Sequence, residues 1–275
     1  MFESAGTPLA RRHGVRGTSG RGDLGTEGLP SSSSSSRRPR PRIVVTFSGT
    51  DPKSIKNWID DLEAAPIAHA YSGVGCDQCK VHRGFLAAYG VVQDQVRAAV
   101  VEHLQHNPDA EILITGHSLG GALATLCFLD LRMMLDRVPF APLYIFGAPR
   151  VGNEVFAAFS VSHGVPIFRV VHHRDPVPHL PFESWGYRHP PREVFFDADQ
   201  TSYVVCDDSG EDETCSDQFW VIFGALHISD HLTYLEVDYT QAYVQCYIND
   251  VTRKSQVTAA SEPMAVMSAT AALVT

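Results

Sequence analysis

Ala110-Glu111-Ile112-Leu113-Ile114-Thr115 leads directly into Gly116-His117-Ser118-Leu119-Gly120, and a mostly apolar run to Arg137 follows. The first six residues read as a short buried strand and residues 118–137 as a long helix. One tight turn must join them. A serine at such a turn is held in a strained conformation, and its neighbours must be glycines because side chains there would clash. The turn lifts the hydroxyl clear of the sheet. The N–H of Leu119 then points at the same spot from the positive end of the helix dipole. Gly120, Gly121 and Ala124 keep the helix slim where it lies on the sheet. G-x-S-x-G alone is a common string, and an accidental match is the alternative. The strand before it and the slim helix after it make Ser118 the expected nucleophile.

A serine hydroxyl needs a base to take its proton, and the base needs a carboxylate to hold it. At sites of this strand-turn-helix kind the chain order is serine, acid, histidine. Asp175 follows the expected strand 167–171 in His172-His173-Arg174-Asp175-Pro176, and Pro176-Val177-Pro178 would stiffen its loop. Its alternative role is a turn-capping aspartate, with Asp197 and Asp199 as fallback acids. The base must come from a late loop. His227 and His231 both qualify by spacing, with His231 favoured; His172, His173, His179 and His189 are less suitably placed. A second oxyanion donor should follow an earlier strand. Residues 43–47 form that strand, and Ser48-Gly49-Thr50 ends it. Thr50 offers an N–H and a hydroxyl; the alternative is a plain turn.

Strands expected at 43–47, 110–115, 143–146 and 167–171 alternate with helices at 54–62, 84–106, 118–137 and 153–162. That order implies an α/β fold with a mostly parallel sheet and helices on both faces. Residues 186–205 read as antiparallel extension strands, and 233–237 and 243–248 as closing elements. Residues 1–42 carry a six-serine run, Ser31–Ser36, and read as disordered and low in complexity. The globular domain is expected over 43–250 and a flexible tail over 251–275.

Charge is divided unevenly. Residues 1–42 hold eight arginines against three acids, a net +5, while the rest holds 14 basic and 28 acidic residues, a net −14. An acidic body argues against nucleic acid and against steady anchoring on anionic lipid. No stretch reaches the ~20 apolar residues of a membrane-spanning helix, and Met1–Arg12 has no apolar signal core. Cys76/Cys79 and Cys206/Cys215 read as two loop disulfides, favouring an oxidising compartment. A zinc site built from the two pairs is the alternative. Cys127 reads as buried in a helix, and Cys246 stands alone.

Several segments together resemble the class 3 lipases, the α/β-hydrolases typified by fungal triacylglycerol lipases. They are Ser48-Gly49-Thr50, residues 54–62 (SIKNWIDDL), 81–85 (VHRGF), 116–124 (GHSLGGALA), 147–153 (GAPRVGN), 174–181 (RDPVPHLP) and 230–234 (DHLTY), spread from about Ile43 to Tyr234. The resemblance implies His231 as base, since it falls on the D-H-x-x-Y element, with Thr50 and Leu119 as oxyanion donors. It implies that residues 54–62 are a lid. Ile55, Trp58, Ile59 and Leu62 share one helical face there, which also suits an ordinary helix packed on the core. It implies a serine carboxylester hydrolase acting on acylglycerols at a lipid–water interface, secreted, monomeric, and needing neither metal nor cofactor. Phospholipase A1 and feruloyl esterase are the rival activities, and a non-catalytic lipase-like scaffold the rival class. The family's pattern places further strands and a long helix before residue 43, and a partner for Cys246. Residues 1–42 supply neither, so the expected fold lacks its leading strands.

Overall fold

Ile43, Val45 and Phe47 alternate with Arg42, Val44 and Thr46, and the alternation decides which side of the sheet is core. In the computed structural model the first three are buried, while Val44 is half-buried and Arg42 and Thr46 are exposed. The structure describes residues 40–63, 68–71, 75–219, 227–242 and 269–274. The main sheet has seven strands: β1 (Arg42–Phe47), β2 (Glu111–His117), β3 (Leu143–Phe146), β4 (Ile167–His172), β5 (Glu193–Phe196), β6 (Tyr203–Val205) and β7 (Ala269–Val274). Their order across the sheet is β6-β5-β4-β3-β2-β1-β7. β1 to β5 are parallel to their neighbours, and antiparallel β6 and β7 close the edges.

Helices α2 (Arg83–His106) and α3 (Leu119–Met134) share one buried cluster with Ile43, Val45, Phe47, Ile112 and Ile114. They are also tied by polar groups. Asp130 of α3 accepts from Tyr89 Oη at 2.7 Å, Gln93 Nε2 at 2.9 Å and Arg97 Nε at 2.9 Å, all from α2. A carboxylate with three donors can be sealed in an interface that would otherwise reject it. The opposite face of the sheet is more open. Tyr144 is exposed there and stacks on Phe168 at 5.1 Å. A helical turn at residues 239–242 borders that face. Helix α4 (Glu154–Val161) packs instead on a small sheet of Ala68–Ala70, Lys80–His82, Gly152–Asn153 and Tyr187–Arg188. Its cap Asn153 accepts from Phe156 N at 3.1 Å and Lys80 N at 2.9 Å, so one side chain fixes both helix and sheet.

Two expectations need correction. Residues 186–205 are not one antiparallel extension: Tyr187–Arg188 joins the small sheet, Glu193–Phe196 runs parallel to β4, and only β6 turns back. The parallel register of β5 on β4 is accompanied by a buried Arg169–Glu193 contact at 3.2 Å. The expected flexible tail over 251–275 contains β7, which pairs with β1 along all six residues. Pairing occupies the backbone groups that an open β1 edge would leave bare. Both cysteine pairs are disulfides, as expected, which leaves no place for the zinc alternative. Cys127 is a buried free thiol, as expected. Residues 1–39, Cys246 and the closing element at 243–248 lie outside the described residues.

The loop clipped by Cys206–Cys215 covers a second polar cluster. Arg150 is buried, donates Nε to Glu211 Oε1 at 2.9 Å and Nη2 to Glu211 Oε2 at 2.6 Å, and donates Nη1 to His179 O at 2.6 Å. Arg169 donates to Glu193 Oε2, to Pro190 O at 2.9 Å and to Gly210 O at 2.7 Å. Burial would raise the Glu211 carboxyl, but the Arg150 hydrogen bonds and nearby His189 and Arg169 hold it well below the ordinary carboxylate range.

Candidate active site

The β2–α3 turn does what its glycines require. Ser118 sits at φ 59°, ψ −130°, a sparsely populated region for a residue with a side chain. Such strain costs on the order of 1–3 kcal/mol. It is held by Ser118 N donating to Phe146 O at 2.9 Å and Gly121 N donating to Ser118 O at 2.9 Å. Gly120 has no room for any side chain, because a Cβ there would lie 2.1 Å from Phe47 O. Helix α3 therefore starts against the end of β1, and the loop after β1 reaches Ser118: a Cβ on Gly49 would stand 3.0 Å from Ser118 Cβ.

Asp175 and His231 arrive from separate loops and meet with no exposure. His231 Nδ1 lies 2.9 Å from both Asp175 oxygens, which fixes the proton on Nδ1 and leaves the buried Nε2 with its lone pair unused. Asp175 Oδ1 also accepts from Val177 N at 2.8 Å, and Oδ2 accepts from Tyr234 Oη. Tyr234 Oη in turn accepts from His172 N at 3.2 Å. The acid is thus a carboxylate with every lone-pair direction used. Gly147, at φ 51°, makes the space, since a Cβ there would lie 2.6 Å from Asp175 Oδ2 and 3.1 Å from His231 Nδ1.

The two loops are further joined around this pair. Asp230 Oδ2 accepts from Arg174 N at 3.1 Å and lies 3.1 Å from His173 Nδ1, and His227 N donates to Arg174 O at 2.8 Å. His172 Nδ1 lies 2.9 Å from Asp230 O and 2.7 Å from Thr233 O. His227 itself is exposed, His179 is buried against Asp217, and Asp197 and Asp199 bind the hydroxyls of Ser202 and Thr201. None of these reaches Ser118.

A cavity of about 350 Å³ opens beside Ser118, lined by Thr50, Ile55, His117, Ser118, His231 and Tyr239 among others. Three buried side-chain atoms of its lining have no hydrogen-bond partner: Ser118 Oγ, His231 Nε2 and Thr50 Oγ1. Native proteins rarely bury such atoms unpaired. Helix α1 (Ile55–Glu63) lies at the cavity's edge. Ile55, Ile59 and Leu62 are buried, Trp58 is half-buried, and Lys56, Asn57, Asp60 and Asp61 face solvent. Sequence reasoning assigned no role to Tyr234 or His117. Tyr234 is the last residue of the D-H-x-x-Y element on which His231 falls, and that motif was its only signal.

Residues 44–185, more than half of the chain, match the family model described as Lipase (class 3). The lipase of Rhizomucor miehei is 38% identical over 200 residues, covering 71% of this chain and 52% of that protein. The secreted mono- and diacylglycerol lipase A of Penicillium cyclopium is 36% identical over 166 residues, covering 60% and 52%. The solved structure of the Rhizomucor miehei triacylglyceride lipase superposes with a TM-score of 0.64 at 37% identity, covering 72% of this chain and 73% of that one. The chain spans about half the length of the curated relatives it matches. With the strand-turn-helix around Ser118 and this match in hand, the chain belongs to the class 3 lipase family.

Proposed function

We propose that the domain over residues 43–250 hydrolyses carboxylic esters of acylglycerols through Ser118, His231 and Asp175. Ser118 Oγ attacks the ester carbonyl while His231 Nε2 takes its proton. Asp175 holds the Nδ1–H and stabilises the imidazolium that forms. The oxyanion is received by the N–H groups of Leu119 and Thr50, with the Thr50 hydroxyl beside them. His231 then protonates the leaving alcohol, and water clears the acyl-enzyme by the same route in reverse. The observation that carries this reading is the shared cavity: an oriented base and a strained serine both present unpartnered polar atoms to it.

Helix α1 is the lid in this reading. Its buried apolar face would become a lipid-facing surface when the helix swings away, and Ser118 would gain access. The apolar lid favours lipid esters over feruloyl esters. The names of the Rhizomucor and Penicillium relatives point the same way. The two disulfides and the secreted relative support secretion, and a monomer suffices for the site described.

Fluorophosphonate labelling of the full chain tests the assignment, with a Ser118→Ala control. Labelling should vanish in the variant, and ester hydrolysis should fall by about four to six orders of magnitude. A folded wild-type protein that takes no label would favour the scaffold reading. Rates on triacylglycerol, monoacylglycerol, phosphatidylcholine and methyl ferulate, across the lipid's aggregation threshold, separate the rival substrates; a jump at the threshold is expected with acylglycerols.

A further inference from the structure

In the state described here the nucleophile and the base do not hold each other. Ser118 Oγ and His231 Nε2 both lack partners. The turn carrying Ser118 and the loop carrying His231 are 113 residues apart in sequence, so something else must set their separation. Among the described residues, one hydrogen bond joins them directly: His117 Nε2 to the main-chain oxygen of His231, at 2.8 Å.

His117 is built for that single bond. It is nearly fully buried. Its ring lies flat on Tyr239, at 3.9 Å and 7°, and tilted against the His231 ring at 4.6 Å. Tyr234 meets its edge at 5.5 Å. The flanking rings leave the imidazole no other plane to occupy. A carbonyl acceptor demands Nε2–H, so the tautomer is fixed by its partner. Burial, with the neighbouring His231, pushes its pKa down to about 3, so the ring stays neutral through the working pH range. A neutral donor places no competing charge beside His231.

We propose that His117 is a positioning residue: its Nε2–H ties the backbone of His231 to the nucleophile turn and so fixes how far the base stands from Ser118. Asp175 orients the side chain of the base, and His117 locates its main chain. The assignment rests on Ser118 and His231 acting as proposed above. A phenylalanine at 117 would keep the ring stack and lose the bond. A glutamine would lose the ring and keep a donor amide at about the same reach.

The test compares His117→Phe and His117→Gln in the full chain. It reads kcat and KM on a soluble short-chain nitrophenyl ester, the fluorophosphonate labelling rate, and the melting temperature. In His117→Phe, kcat and the labelling rate should fall roughly 10- to 100-fold, because a displacement near 1 Å costs about that much. KM should stay within about twofold, as expected when only an interaction of the reacting state is lost. His117→Gln should recover most of the rate even where its melting temperature is lower. Unchanged kcat in His117→Phe overturns the proposal. So does a loss of rate that follows melting temperature in both variants, with no recovery by glutamine, because that is a packing role. If His117→Phe does not fold, His117→Met serves as the variant without a donor. Wild-type protein that takes no label would sink the hydrolase reading itself, a distinct result from a labelled wild type with an indifferent His117→Phe.

Discussion

Two buried polar clusters in this protein are built on opposite principles. Under the Cys206–Cys215 loop, Arg150, Glu211, Arg169 and Glu193 bind each other and nearby carbonyls. Around Ser118, three buried side-chain atoms of the cavity's lining residues have no hydrogen-bond partner within the protein. The first cluster is closed: its charges are satisfied within the protein, and removing one strands another. The second is closed behind and open in front. Asp175 has its donors, His231 Nδ1 has its acceptors, and only the reacting side is bare. Polar groups left unpaired at one face of an otherwise satisfied network are what a reaction needs and what a stable core avoids.

Damage should therefore divide cleanly between rate and stability. Asp175→Asn should lower kcat by about 10⁴-fold, through the wrong His231 tautomer. Its urea midpoint should move far less than its rate, and a variant that unfolds yet keeps its rate per folded molecule would break the contrast. Arg150→Met should do the reverse. Leaving Glu211 buried and unpaired costs about 3–5 kcal/mol in urea unfolding, while ester turnover per folded molecule stays within about twofold. Removing the clip with Cys206→Ser and Cys215→Ser together should cost about 2.5 kcal/mol by loop-closure entropy, read as a lower melting temperature.

The smallest effect expected comes from acid. His117 is held from its ordinary 6.5 down to about 3 by burial and by the neighbouring His231, with Asp175 opposing. Its folded state resists the proton more than its unfolded state, so stability is full above pH 6.5 and falls as pH drops toward 3. At pH 5 the loss from this one ring is about 2 kcal/mol. His189, pushed down by burial and Arg169, and Glu211 act in the same direction. A melting temperature that rises between pH 7.5 and pH 5 would overturn this account.

The sequence was most legible where function forces a local pattern. Strand, glycine-flanked serine and slim helix are contiguous, so Ser118 and the frame around it could be read directly. Asp175 was legible from its place after a strand. Spacing favoured His231 over His227 only weakly, because what distinguishes them is burial. His231 meets Asp175 inside the protein, and His227 faces water. The direction of β5 was illegible because it rests on pairing with β4, whose Arg169 lies 24 positions upstream of Glu193. β7 was illegible because its partner lies more than 200 residues upstream. The buried pairing of Arg150 and Arg169 was illegible because their carboxylates, Glu211 and Glu193, lie 61 and 24 residues away. Tyr234 and His117 stood in plain motifs, but their roles depend on partners that only folding brings near.

Gly120 carries one more consequence. Its missing side chain is what lets α3 touch Phe47 O at the end of β1, the strand that delivers Thr50. Every other amino acid brings a Cβ, so every missense change at this codon pushes the helix that starts at Ser118 away from the strand that leads to Thr50. The position has no functional group and takes no part in the chemistry. Yet in a library of random variants it should be as empty as Ser118, and inheritance would guard a hydrogen atom as strictly as a hydroxyl.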